Sequence, residues 1–105
     1  MSIEQPETID AIGIETGTGL VVLTLIDPFD WSSPETHLQM LQAKLNTYLR
    51  YEERGDLYLR YPDAKGRRVV FHLVARHAIP SEVSGFFDKV RSALRKATIE
   101  FRVSH

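Results

Sequence analysis

Four residues of the kinds that do chemistry stand close together in this chain: Asp27, Asp30, Trp31 and His37. Two carboxylates and an imidazole at the end of an apolar run and the start of a helix form the sort of group that serves as a general acid and base or binds a small ligand. Sites in α/β proteins often open at such a handover. The same residue types have a plainer use. Aspartates in a strand-to-helix connector accept backbone N–H bonds and favour the positive helix end, each worth about 0.5–2 kcal/mol. That structural role is the better account, so these four are candidate binding residues and no catalytic residue is assigned. Trp31, the only tryptophan, reads as a lid over the helix, its indole N–H seeking Asp27 or Asp30.

Other chemistries lack their residues. His72 and His77 differ by an odd number and point to opposite faces of one extended strand, and no H-x-H or H-x-x-x-H pair exists, so no metal site is expected. Gly13, Gly17 and Gly19 precede a strand, whereas a phosphate cradle opens a helix. There is no G-x-S-x-G elbow, and no cofactor is implied. With no cysteine, disulfides and thiol catalysis are excluded. Lys65, Arg67 and Arg68, with Arg60, Tyr58 and Tyr61 nearby, are the residues that would touch phosphates and stack bases. The sequence pI of about 6.4 is far below that of typical nucleic-acid domains, and a solvated, charge-blunted hairpin is the better account.

The elements that position these residues start with Leu20–Asp27, a run too apolar for a sheet edge, which predicts a central strand. Thr8–Glu15 and the turn Thr16-Gly17-Thr18-Gly19 predict a hairpin into it. Pro28 ends the strand. Ser32 with Glu35, or Ser33 with Pro34, then starts a helix. Along it Leu38, Leu41, Leu45, Tyr48 and Leu49 form a stripe, with His37 and Lys44 on its flank as residues that tie the helix to neighbouring loops. Gly55 stops this helix. Asp56–Tyr61 alternates and predicts a strand, paired through Pro62–Gly66 with a strand over Arg68–Arg76. Val83, Phe86, Phe87, Val90, Leu94 and Ala97 mark a second helix, and Thr98–Val103 a last short strand.

The expected architecture is therefore a single α+β domain over residues 1–105, with 1–7 a loose N-terminal arm. It is a two-layer sandwich of ββαββαβ order, a five-stranded mixed sheet with two helices on one face. The sheet face away from the helices would show Val22, Tyr58, Val70, His72 and Val74, too apolar for open water, which makes them candidate interface residues and predicts a homo-oligomer, a dimer in the simplest case. Charge is uneven as well: residues 1–43 carry seven acids and no Lys or Arg, whereas 44–105 carry thirteen bases against seven acids, a distribution that could steer a protein partner. No apolar run approaches the roughly 20 residues of a membrane helix, and the acidic start has no signal-peptide pattern, so a cytoplasmic protein is expected.

Val22, Asp27 and Trp31, followed by His37-Leu38-x-x-Leu41-Gln42-x-Lys44-Leu45-Asn46-x-Tyr48-Leu49 and then Gly55 and Tyr61-Pro62, resemble a family of small bacterial proteins of about this length that carries a domain-of-unknown-function label. The resemblance implies a bacterial cytosolic protein and supplies no catalytic residues. Members often have His after that Asp, where this chain has Pro28, which counts against a role for a histidine there.

Overall fold

The computed structural model describes residues 2–105. One mixed sheet has four strands in the order β1 (Ala11–Ile14), β2 (Val21–Asp27), β3 (Val69–Ala75) and β4 (Ile99–Ser104). β1 runs antiparallel to β2, whereas β2, β3 and β4 are mutually parallel. The connections between the parallel strands carry the helices: α1 (Pro34–Glu53) and the short α2 (Asp56–Arg60) lie between β2 and β3, and α3 (Ser84–Lys96) lies between β3 and β4. Parallel neighbours need such long crossovers.

Register defines the two faces. The rows Val21–Val69–Ile99 and Leu23–Phe71–Phe101 share one side. There α1 sets Tyr48 edge-on to Phe71 and α3 stacks Phe87 on Phe101. The rows Val22–Val70–Glu100 and Thr24–His72–Arg102 share the other. The alternating burial of β2 follows from this: Val21, Leu23, Leu25 and Asp27 are buried, and Val22, Thr24 and Ile26 are half-buried.

Two expectations need correction. Asp56–Tyr61 is not a strand, so the sheet has four strands and not five, and there is no second hairpin. β3 already has a parallel neighbour on each side and offers no edge for another strand. Gly55, at φ 80°, turns the chain directly from α1 into α2. Within α2 successive odd positions diverge, so Leu57 is fully buried while Leu59 is 78 % exposed, a split that a strand, with both on one face, could not produce. The residues expected as a loose arm are in fact seated over Ser2–Ile3: Ile3 is fully buried in the core and its N–H donates to the Ile26 carbonyl at 2.9 Å.

Candidate functional site

Asp27 closes β2 and His37 sits in the first turns of α1. The connector between them folds back so that His37 Nε2 lies 2.6 Å from Asp27 Oδ2, while Nδ1 faces the Asp30 carbonyl oxygen at 2.9 Å. Both ring nitrogens thus face acceptors. A neutral imidazole has one N–H, so its tautomer decides which of the two contacts is a donated hydrogen bond. Asp27 Oδ1 accepts the Phe29 N–H at 3.2 Å, and the Asp27 carbonyl accepts the Arg76 N–H at 2.9 Å. The pair is sealed, with side chains 1 % and 2 % exposed. Trp31 is the seal: its indole stacks on His37 at 3.7 Å between ring centroids and 16° between planes, with Phe29 edge-on at 6.3 Å. Neither aspartate receives the indole N–H. Trp31 Nε1 is buried with no hydrogen-bond partner among the described residues.

Asp30 contributes its carbonyl to this cluster and turns its carboxylate outward. Oδ1 accepts the Ser32 hydroxyl at 2.7 Å and the Ser32 N–H at 3.1 Å, and these bonds, the hydroxyl's first, hold the carboxyl below its ordinary range. Asp27, Trp31 and His37 therefore converge, and the Asp30 side chain does not join them. Ser33 caps α1 with Pro34 as its first residue, and no side-chain bond is made by the cap.

A second polar cluster lies deeper on α1. Lys44 is fully buried, and its three donors meet three acceptors: the Gln5 carbonyl at 2.7 Å, the Thr8 hydroxyl at 3.1 Å and Asp10 Oδ1 at 2.8 Å. Asp10 Oδ2 accepts the Ile26 N–H at 3.0 Å. The Tyr48 hydroxyl accepts the Asp10 N–H at 2.8 Å and donates to the Thr24 carbonyl. Beyond Ala11, then, side chains take over the pairing of β2. Burial pushes the Tyr48 hydroxyl well above its usual range, so it stays a donor. The spacing carried a signal for this cluster: His37, Leu41, Lys44 and Tyr48 follow one another at four, three and four, which places both polar residues in the middle of the buried stripe.

On the opposite sheet face, Glu15 and Arg102 meet at 2.8 Å although they belong to the two outer edges of the sheet. Three interstrand spacings of roughly 4.8 Å separate those edges. The two side chains therefore reach toward one another over the face that carries no helix, on which Val70 is fully buried. Thr18's hydroxyl, and next Arg102, hold the Glu15 carboxyl below its ordinary range. Of the candidate interface residues, Val22, Val70, His72 and Val74 share this face, with Val74 36 % exposed. Tyr58 does not. It sits on α2, its hydroxyl 3.5 Å from Glu52, and burial followed by Glu52's charge raises its phenol. Among the described residues no cluster of three or more His, Cys, Asp or Glu side chains could hold a metal ion.

A family model described as a family of unknown function, DUF6572, matches residues 1–105. The chain belongs to this family. The match spans the whole length over which the resemblance was read, from the Asp27 connector to Tyr61-Pro62. No curated protein and no solved structure matches the chain. No helix among the described residues is long and apolar enough to cross a membrane.

Proposed function

We propose that this is a bacterial cytoplasmic domain that works by association and not by catalysis, pairing with a second copy through the sheet face opposite α1 and α3. The observation that carries the reading is the state of that face. Val22, Ile26 and Val74 lie on it with no helix above them, and its charged groups are tied to one another, Arg102 bonding Glu15 at 2.8 Å and Glu100 at 3.4 Å. The sealed state of Asp27 and His37 also supports it, because a reacting group must meet its substrate. Sedimentation equilibrium tests the reading: the wild-type chain sediments as a dimer, and Val74→Glu sediments as a monomer with an unchanged helical circular dichroism spectrum. A wild-type chain that stays monomeric at all accessible concentrations overturns it.

One observation favours a second reading, a small ligand or acid/base site at Asp27, His37 and Asp30. Trp31's indole N–H forfeits a hydrogen bond in the closed position, so swinging outward would regain one from water while uncovering the Asp27–His37 pair. The sole tryptophan reports on this directly. Acrylamide quenching that rises on adding a small carboxylate or amine would support a lid, and quenching that stays low throughout leaves Trp31 a fixed cover.

A further inference from the structure

We propose that the hollow where β2, β3 and β4 begin is a binding site for a small organic anion with a flat apolar body, of the size of a nucleoside monophosphate. The cavity measures about 520 Å³, within the usual range for ligand sites. Leu20, Val69 and Phe101 supply apolar surface, and Arg68, Arg91 and Arg95 supply charge. These arginines come from two separate parts of the chain. Arg91 and Arg95 are one turn apart on α3, and Arg68 immediately precedes β3.

The guanidinium groups are largely unspent. Arg68 and Arg95 make no side-chain hydrogen bond or ion pair with the described residues, and Arg91 approaches Asp88 only at 3.8 Å while its guanidinium lies 5.8 Å from the centre of the Phe101 ring. The one acid lining the hollow, Glu100, is directed to Arg102 at 3.4 Å. Basic residues suit the negative end of α3, which explains the sign of Arg95. It does not explain why Arg68 converges on the same space. A planar guanidinium presents paired donors that match a phosphate, sulfonate or carboxylate, and one held over an aromatic ring still offers its own plane to a flat body.

Thr98 lines the same hollow and has φ 58°, a left-handed conformation that a β-branched residue rarely adopts. Glycine would end α3 without that strain, which is of order 1–3 kcal/mol. The threonine instead puts a side chain at the rim, and it also lines an adjoining hollow of about 210 Å³ that reaches Tyr58. The small size of the combined space, and the net charge of the chain of −1, favour a small molecule over a nucleic-acid strand.

Titration of the full chain with adenosine monophosphate, followed by amide chemical shifts, tests this, with anilinonaphthalene sulfonate as a second flat anion read by its fluorescence. The expected result is saturable shifts at Val69, Thr98 and Ile99 with at least one of the two. Adenosine and inorganic phosphate at the same concentration should shift these amides far less. Arg68→Ser and Arg95→Ser should each weaken binding roughly tenfold, and Arg76→Ser, outside the hollow, should leave it unchanged. The proposal is overturned by absence of saturable shifts with both anions, by equal binding of adenosine, or by indifference to Arg68→Ser and Arg95→Ser in variants whose spectra show an intact fold. It is also overturned by a short single-stranded RNA that binds far more tightly than the monophosphate.

Discussion

Lys44 Nζ sits 2.8 Å from Asp10 Oδ1 with both side chains essentially excluded from water, so an ion pair between α1 and the residue before β1 lies in the interior of the domain. Buried pairs are weak evidence for stability in themselves, but removing one partner strands the other charge at a cost of about 3–5 kcal/mol. Lys44→Met should therefore lower unfolding free energy by that amount, a large share of the roughly 5–15 kcal/mol available to a small domain. The double variant Lys44→Met with Asp10→Asn should lose clearly less than the sum of the two single losses. Urea denaturation of the four proteins checks both statements, and strict additivity would show that the two groups do not interact.

Asp27 and His37 should respond very differently to conservative change. In Asp27→Asn the carbonyl oxygen can keep the Phe29 N–H and the amide can donate to His37 Nε2, so the loss should be about 1 kcal/mol. In His37→Phe the ring can still stack on Trp31, yet the Asp27 carboxylate is left buried without its partner, and the loss should be about 3 kcal/mol or more. Comparable losses in the two variants, measured by thermal or urea unfolding, would mean that packing and not the Asp27–His37 contact holds the connector.

His72 supplies a pH dependence. Burial first, and then Arg102's charge, depress its imidazole below the ordinary value near 6.5, against a smaller opposing effect of Glu15. The unfolded chain then binds a proton more readily than the folded one, so stability rises with pH across that interval. The contribution is fully present above about 6.5 and is lost as pH falls toward the folded value. Comparing acid unfolding of the wild type with His72→Gln should show a gap that opens only below that pH. A gap that is constant from neutral to acid conditions would assign the effect to the lost bond with Ser104 at 2.8 Å.

Much of the layout could be read from residue order because the apolar periods are strong. The run Val21–Asp27, the seven residues Val69–Ala75 and the stripe Phe87, Val90 and Leu94 each admit one interpretation. The alternation of Asp56–Tyr61 fits a strand, but six residues are too few for period alone to exclude a helix turn, and only the occupied edges of β3 decide against the strand. The closeness of Asp27, Trp31 and His37 was legible from their places at one strand-helix joint. The partners of Lys44 were not, since Gln5, Thr8 and Asp10 reach it only through the tertiary path of the N-terminal segment.

The Tyr48 hydroxyl standing between Asp10 and Thr24 gives the first hairpin an unusual dependence. A peptide ending before residue 48 lacks the oxygen that joins its own two strands there. The amino-terminal strand precedes that helix in the chain, yet the last rung at its corner of the sheet is closed by a side chain the helix supplies.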